Sequence, residues 1–244
     1  MIIAVDGTVA SGKSSAARLL AQELGFAYIN TGLMYRSVAA WARRQGIATG
    51  DQATLAARVG ELRIDLRDLP DGQHVLVNGE DVTDEALAPD IGADVSNVAD
   101  NPAVRDVLVR EQRRLGRAAG NAVLDGRDIG SVVFPDAEVK FFVTASEEER
   151  ARRRLADDRA RKPDVTFEEV LAAVRARDAR DRQRPVGALM RMPDAIEIDT
   201  THNRGPQETV AQMRAVLEQK FGALDRLRQL ARAHSPSLKP QECG

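Results

Sequence analysis

The sequence predicts an α/β fold in which a five-stranded parallel sheet is covered by helices on both faces. Five short apolar runs alternate with segments whose apolar residues recur at helical spacing, a pattern typical of a buried parallel sheet. A glycine-rich loop at 7–14 separates the first apolar run from the first helical segment. From Leu62 the apolar residues alternate instead, which indicates a small antiparallel insert. Because ligands bind at the carboxyl ends of parallel strands, we expect a site at that edge.

The same patterns predict the individual elements. Strands are expected at 2–5, 26–29, 122–124, 139–143 and 195–199, with an antiparallel pair at 62–66 and 75–77 around a turn at 70–72. Helices are expected at about 15–24, 33–44, 88–99, 102–117 and 206–221. Two more begin after Ser146 and Thr166, because Glu149 and Glu169 complete a capping-box pattern with them. Residues 224–233 are expected to add a short amphipathic helical segment, and 234–244 a disordered tail.

The loop at 7–14 has the spacing of a phosphate-binding loop, with two glycines followed by a lysine and a hydroxyl residue. The helix behind such a loop directs free N–H groups at a phosphate chain. The residues expected to bind the nucleotide are Gly7, Thr8, Val9, Ala10, Ser11, Gly12, Lys13, Ser14 and Ser15. Lys13 is expected to reach the outer phosphates, and the Ser14 hydroxyl to bind Mg²⁺. A chance turn is disfavoured, since lysine occurs at only five positions in an arginine-rich chain.

Length, charge and cysteine content limit the remaining classes of protein. At 244 residues the chain is long enough for one domain with insertions. A formal charge of −2 gives no overall basic field, so we expect no nucleic-acid partner. Cys243 is the only cysteine, which excludes an internal disulfide framework and fits a reducing compartment. No apolar run approaches membrane-spanning length, so we expect a cytoplasmic protein with no membrane partner.

Two sets of arginines suggest a second phosphorylated ligand. One set follows the predicted strands or neighbouring helices: Arg36, Arg105, Arg127, Arg177 and Arg184. The other surrounds a polar connection at 162–164: Arg150, Arg152, Arg153, Arg154, Arg159 and Arg161. An ATPase that used water would need few of these, whereas bringing two phosphate chains together needs many. Taken singly, the second set is interpreted as solvated helix residues in ion pairs, and as a group it is interpreted as a lid.

In its motifs the chain resembles the bacterial cytidylate kinase family, whose members phosphorylate CMP and dCMP. The resemblance extends over about residues 1–221. It rests on the segments 3–7 with the phosphate loop, 31–36 (Thr-Gly-Leu-Met-Tyr-Arg), 125–135 (beginning Asp-Gly-Arg-Asp) and 177–182 (Arg-Asp-Ala-Arg-Asp-Arg). It implies the three-layer fold of P-loop nucleoside monophosphate kinases, with an insert at about 60–95 that enlarges the monophosphate domain and a short helical lid at about 150–164. Residues 222–244 form an extension without a counterpart.

The resemblance also implies a set of site residues. Family positions that line the monophosphate site are matched by Thr31, Arg36, Ser96, Arg105, Arg127, Asp128, Arg177, Asp181 and Arg184. For Arg177, Asp181 and Arg184, the spacing on one helix face fits structural pairing and ligand contact equally well. Chemistry divides the roles: Arg36, Arg127 and Arg184 would hold the acceptor phosphate, and Asp128 and Arg105 would contact cytosine. Asp181 with Arg177 would contact the sugar. Asn30 departs from the aspartate that is common in the family.

The expected reaction is transfer of the γ-phosphoryl group of ATP to CMP or dCMP by a monomer. The acceptor oxygen is already anionic, so positioning and charge neutralisation by Lys13, Mg²⁺ and arginines suffice. Arg154 from the lid joins Lys13, Arg127 and Arg184 as an expected catalytic residue. The alternatives are a kinase of UMP or dTMP, a nucleotide sensor without catalysis, and a GTP-binding switch protein. The last is disfavoured because the chain contains no Asn-Lys pair.

Overall fold

A computed structural model describes residues 1–159, 162–223 and 229 of the chain. Its strands are β1 (Ile2–Gly7), β2 (Ala27–Asn30), β3 (Ile64–Leu69), β4 (Gly72–Val77), β5 (Glu80–Asp81), β6 (Ala122–Gly126), β7 (Val139–Thr144) and β8 (Ile196–Asp199). Its helices are α1 (Lys13–Leu24), α2 (Thr31–Arg44), α3 (Gln52–Arg58), α4 (Thr83–Leu87), α5 (Gly92–Asp100), α6 (Pro102–Ala119), α7 (Glu147–Arg159), α8 (Phe167–Gln183) and α9 (Pro206–Phe221). The segments predicted at 224–233 and 234–244 lie outside the described residues, apart from Gln229.

The central sheet has the predicted five parallel strands, in the order β2-β6-β1-β7-β8. Val5 of β1 lies opposite Asp125 of β6 and Phe141 of β7. The strand order places β1 in the middle, so the loop that leaves it opens at the centre of the sheet edge. The ends of β2 and β6, which carry Asn30 and Gly126, lie beside it.

Two apolar layers cover the sheet, as the continuous apolar character of its strands requires. On one face, Ala4 and Leu124 pack with residues of α2, α5 and α6 such as Met34. On the other face, Ile3 and Val5 pack with α1 and α9. Successive residues of β1 therefore bury their side chains in different layers, and the three-layer α/β architecture is confirmed. In the described residues, no helix is long and apolar enough to cross a membrane.

The predicted insert is a separate antiparallel sheet in the order β3-β4-β5. The turn at 70–72 joins β3 to β4, and Asn78 and Gly79 turn the chain into β5 with positive φ angles of 52° and 87°. Gln73 attaches this sheet to the outer strand β2. Its side chain accepts a hydrogen bond from the Asn30 N–H at 3.2 Å and donates to the Tyr28 carbonyl at 2.8 Å. Through Gln73 the insert thereby satisfies two backbone groups of β2 that no neighbouring strand of the described chain binds, because β2 is the edge strand of the central sheet.

Several boundaries differ from the sequence-based predictions. Helix α1 begins at Lys13 rather than residue 15, and the predicted helix at 88–99 is divided into a short 3₁₀ turn at Pro89–Ile91 and α5. Helices α3 and α4 were not predicted. The capping box at Thr166 is complete, but at Ser146 only half of it forms. There the Ser146 N–H donates to Thr201 Oγ1 at 2.9 Å, so Glu149 is free to bind arginines of its own helix.

Candidate active site

The phosphate loop connects β1 to α1 in a conformation that most residues would not adopt. Gly12 has a φ of 81°, and Ala10, a residue with a Cβ, has a φ of 57°. Gly7 is required for a different reason. A Cβ at that position would lie 2.0 Å from the Val143 carbonyl oxygen of β7. The loop is thus pressed against the sheet at Gly7, and its last two residues, Lys13 and Ser14, line the cleft beyond the strand ends.

Lys13 is buried at the start of α1, where its ammonium group donates a hydrogen bond to the Thr8 carbonyl oxygen at 3.2 Å. Burial, together with the neighbouring positive charge of Arg127, lowers the pKa of Lys13 to about 7. A cation held in this way is stabilised by any anion that enters the cleft. The phosphate chain of a nucleotide would therefore restore the full charge of Lys13 as it binds.

Ser14 and Asp125 place two oxygen ligands beside Lys13. The Ser14 hydroxyl donates to Asp125 Oδ2 at 2.5 Å, and the Tyr28 hydroxyl donates to Asp125 Oδ1 at 2.9 Å. Thr31 fixes the same strand end, because its hydroxyl donates to the Asp125 carbonyl at 2.7 Å. Oxygen ligands of this kind suit Mg²⁺, which binds one or two protein groups and takes the rest of its ligands from phosphates and water. No cluster of three or more acidic, His or Cys ligands occurs in the described part of the chain.

Asp181 of α8 holds three arginines of the predicted acceptor site in one network. Its carboxylate lies 2.9 Å from Arg127 Nε, 2.8 Å from Arg184 Nη2 and 3.3 Å from Arg177 Nε. The Asp181 side chain is 0% exposed. Burial opposes its ionisation, but the three positive charges outweigh burial and lower its pKa to about 2. This carboxylate and that of Asp100, which also pairs with Arg184, do not neutralise three guanidinium groups, so the network keeps an affinity for an additional anion.

The outer members of this network are held by neighbouring helices. Arg184 Nε lies 2.9 Å from Asp100 Oδ1 at the end of α5. Arg177 Nη1 donates to the Ser96 hydroxyl at 3.1 Å. These contacts fix the guanidinium planes of Arg177 and Arg184 before a ligand arrives, which lowers the entropic cost of binding.

Arg105 and Asp128 form a second, separate ion pair, and both side chains are almost fully buried. Arg105 also lies over the Tyr35 ring, with its guanidinium carbon 5.5 Å from the ring centroid. Gly187 covers the pair from the loop after α8. Its φ is 67°, and a Cβ there would lie 1.7 Å from Arg105 Nη2 and 2.4 Å from Asp128 Oδ2. This part of the cleft offers a donor and an acceptor side by side in a dry, aromatic setting.

These elements meet in one cleft with about 970 Å³ of empty space. It is lined by Lys13 and Ser14 from the phosphate loop, by Thr31 and Arg36 from α2, and by Arg105, Arg127, Asp128, Arg177, Asp181 and Arg184. Ser96 stands behind the lining, in contact with Arg177. The structure therefore brings together the predicted phosphate loop and nearly all of the predicted acceptor residues.

A family model described as Cytidylate kinase matches residues 3–219. The chain belongs to the cytidylate kinase family. A cytidylate kinase of Bacillus velezensis is 42% identical over 218 residues, which cover 89% of this chain and 96% of that protein. One from Geobacter sulfurreducens is 43% identical over 220 residues, covering 90% of this chain and 94% of its own. A third, from Geobacter sp. strain M21, is 46% identical over 201 residues, or 82% and 86% of the two chains.

In this cytidylate kinase family member, Asn30 serves as the cap of α2. Its side-chain oxygen accepts a hydrogen bond from the Leu33 N–H at 3.0 Å, and its backbone lies in an extended conformation. Replacement of the aspartate expected at this position therefore retains the cap, and removes a negative charge from a residue that lines the cleft.

The arginines of α7 lie in very different environments. Arg150 is buried and pairs with Asp178 at 2.7 Å. Arg153 reaches Thr200, donating to its carbonyl at 2.6 Å and to its hydroxyl at 3.0 Å, and one of its Nη atoms would lie 3.8 Å from a Cβ on Gly12. Arg154 pairs with Asp158 at 3.1 Å, and 46% of its side chain is exposed. It does not line the cleft in this conformation, so its catalytic role stays a prediction that depends on lid movement.

Sequence reasoning missed several residues that shape the site. Asp100 carried no motif signal of its own, and Tyr35 lay in the motif at 31–36 without an assigned role; both act through contacts with arginines from distant segments. Arg150 and Arg153 were grouped with their neighbours on α7, although Arg150 donates to the Val9 carbonyl of the phosphate loop and Arg153 lies beside Gly12. Arg150 and Arg154 are one helical turn apart on the same face of α7, so helical phase does not separate them, and the position of α8 is needed.

Proposed function

We propose that this protein transfers the γ-phosphoryl group of ATP to the phosphate of CMP or dCMP, giving ADP and CDP or dCDP. Membership of the cytidylate kinase family supports the reaction. The observation that carries the proposal within the molecule is the continuity of the cleft. Lys13 of the phosphate loop and Arg127 of the acceptor network line the same space, so a donor and an acceptor phosphate can meet there.

The acceptor phosphate is assigned to Arg36, Arg127 and Arg184. Arg127 and Arg184 share the carboxylate of Asp181 with Arg177, and Asp100 adds one further carboxylate at Arg184, so positive charge is left to bind a phosphate. Arginine holds a phosphate with two parallel hydrogen bonds and remains charged throughout the reaction. The attacking oxygen needs no strong base because it is already ionised, and catalysis rests on alignment and charge neutralisation.

Cytosine recognition is assigned to the Arg105–Asp128 pair, and sugar contacts to Asp181 with Arg177. Cytosine presents an amino donor beside ring acceptors, which matches a carboxylate next to a guanidinium. Uracil would place a carbonyl against the Asp128 carboxylate and leave buried groups without partners, which is costly. The pair already lies in a dry pocket beside Tyr35, where such a mismatch has its greatest effect.

Ser14 and Asp125 are assigned to Mg²⁺, and Lys13 to the outer phosphates of ATP. The bound ion would neutralise charge on the phosphates. Asp125 shares its oxygens between Ser14 and Tyr28, which orients both carboxylate oxygens toward defined partners. We further propose that residues 1–221 form one kinase unit with an insert at 60–95 and a lid at 150–164. Lid closure would bring Arg154 toward the phosphates and exclude water.

We also propose, in keeping with the expectation from its sequence, that the chain acts as a monomer in the cytoplasm. Light scattering of the purified protein tests this, with the mass of a single chain as the expected result.

The proposed reaction is tested by coupled measurement of ADP formation with ATP, Mg²⁺ and a panel of CMP, dCMP, UMP and dTMP. We expect the highest kcat/KM with CMP or dCMP, little ADP without an acceptor, and loss of turnover when a chelator removes Mg²⁺. A preference for UMP or dTMP would identify the alternative kinase, and equal ADP formation with and without an acceptor would exclude a kinase altogether.

A further inference from the structure

Val9, in the middle of the phosphate loop, is held through both of its backbone groups. Its N–H donates to Asp178 Oδ1 at 3.4 Å, and its carbonyl accepts a hydrogen bond from Arg150 Nη1 at 3.2 Å. Its side chain packs on a small apolar cluster of α7 and α8 that contains Ala151, Val170 and Val174. Three independent contacts therefore fix one loop residue to the two helices that flank the lid connection.

Arg150 and Asp178 are among the most buried charged residues of the described chain, with side-chain exposures of 2% and 1%. They lie 2.7 Å apart, and Arg150 Nε also donates to the Ala145 carbonyl at 3.0 Å, just after β7. Placing such a pair in the interior gains little stability, because desolvation offsets the attraction. Its value is geometric, since a buried ion pair with several hydrogen bonds holds the attached backbone in one arrangement.

The phosphate loop needs such support. Ala10, the next residue, adopts a positive φ of 57°, which is unfavourable for a residue with a Cβ. The N–H groups that a loop of this type offers to phosphates keep their direction only while this conformation persists. Neither Arg150 nor Asp178 lines the cleft, so both act on the loop from behind.

We propose that Arg150 and Asp178 are positioning residues, here called the Val9 clasp, that hold the phosphate loop ready for ATP and link it to α7 and α8. The inference rests on the proposed function for the identity of the nucleotide. It predicts that ATP affinity depends on two residues that contact neither nucleotide, while binding of the acceptor monophosphate does not.

The test uses the full chain with Arg150→Met, Asp178→Asn and the double variant. Met retains the length of the arginine stem, and Asn retains an oxygen that can accept the Val9 N–H bond. Arg152→Met is the matched control, because Arg152 lies on the same helix with 65% of its side chain exposed and forms a solvated pair with Glu149. Titration calorimetry gives the Kd of a non-hydrolysable ATP analogue and, separately, the Kd of CMP. Thermal unfolding reports the folded fraction of each variant.

We expect each single variant to weaken binding of the ATP analogue about tenfold, and the double variant to be little worse than either single one. The Kd of CMP should stay within about twofold, and Arg152→Met should behave as the wild type. The proposal would be overturned if the Kd of the ATP analogue were unchanged, or if the Kd values of the analogue and of CMP rose by the same factor. If Arg150→Met fails to fold, the Kd values measured with Asp178→Asn alone test the proposal.

The two proposals fail in different ways. If the wild type forms ADP with CMP but the clasp variants bind the ATP analogue normally, the clasp is wrong and the kinase assignment stands. If the wild type binds the ATP analogue but ignores every monophosphate, the kinase assignment fails, and the effect of the clasp on the analogue is still measured.

Discussion

Two groups of arginines differ in burial and in their partners. The cleft group is Arg127, Arg177 and Arg184, and the surface group is Arg152 and Arg154 on α7. Arg184 in the cleft has 3% of its side chain exposed, whereas Arg152 on α7 has 65% exposed. The surface arginines pair with acids three or four residues away on their own helix, as Arg154 does with Asp158. The cleft arginines instead converge from α8 and the end of β6 on Asp181.

The difference is one of charge balance and solvent. On α7 the guanidinium groups of Arg152 and Arg154 each have an adjacent carboxylate and water around them, so a pair contributes only a few tenths of a kcal/mol. In the cleft three guanidinium groups meet the buried carboxylate of Asp181 and a second, partly exposed one from Asp100, so positive charge remains in excess. A bound phosphate group would supply the missing negative charge. Burial and carboxylate shortage, rather than arginine content, distinguish the binding site from the surface.

The largest effect is expected for Lys13→Ala, which removes the cation at the meeting point of the two nucleotides. We expect kcat/KM to fall by about 10³-fold, as when other preorganised charge-stabilising groups are removed. Lys220→Ala, which removes an exposed lysine bonded to the Glu138 carbonyl, is the control and should leave turnover unchanged. Steady-state ADP formation with CMP measures both, and near-normal turnover of Lys13→Ala would remove this residue from the mechanism.

Asp181→Asn is expected to destabilise the protein by about 3 kcal/mol, because three arginines lose the carboxylate that holds them together. Urea unfolding at pH 7 measures this. The pKa of Asp181 is about 2 in the folded chain, below its ordinary value of 3.8. The stability it contributes is therefore present above pH 4 and is lost as the pH falls toward 2. Between these pH values the wild type should lose about 2 kcal/mol more than Asp181→Asn does. Equal losses would show that Asp181 titrates normally.

Asp128→Asn separates the two parts of the cleft, because it changes the Arg105–Asp128 pair assigned to the base and leaves the Asp181 network in place. We expect the ratio of kcat/KM for CMP over UMP to fall at least about tenfold, because an amide can also donate to a uracil carbonyl. Asp106→Asn, at an exposed position of α6, is the matched control. A ratio that stays constant would assign base selection to other residues.

The smallest effect is expected on the outer surface. Arg154→Met should change the free energy of unfolding by less than about 0.5 kcal/mol, because its pair with Asp158 is solvated. Arg184→Met, which breaks a buried contact with Asp181 and a partly buried one with Asp100, should cost about 3 kcal/mol. Urea denaturation of the two variants side by side measures the contrast. If Arg154→Met were as destabilising as Arg184→Met, the distinction between the two groups would be wrong.

The local parts of the site could be predicted from sequence because their signals are local. The glycine and lysine spacing fixes the phosphate loop, and the apolar runs fix the five strands and hence the edge where the site lies. The turn at 70–72 in the insert could be predicted for the same reason. Each of these features depends on residues close together in the chain.

The remainder depends on contacts between distant segments, for which one sequence gives no signal. Arg150 and Arg154 are separated by one helical turn, yet the first is buried and the second exposed. What separates them is Asp178, which reaches Arg150 only because α8 packs on α7. The division of Asp181 among three arginines has the same origin, since the spacing within α8 fitted structural pairing and ligand contact equally well.

The central claim is that two negatively charged nucleotides occupy one cleft at the same time. Titration calorimetry tests it most directly, by adding CMP to protein saturated with Mg²⁺ and a non-hydrolysable ATP analogue. The account predicts one CMP and one analogue per chain, with CMP binding retained in the saturated protein. If the analogue displaced CMP so that only one nucleotide was ever bound, the account would be contradicted.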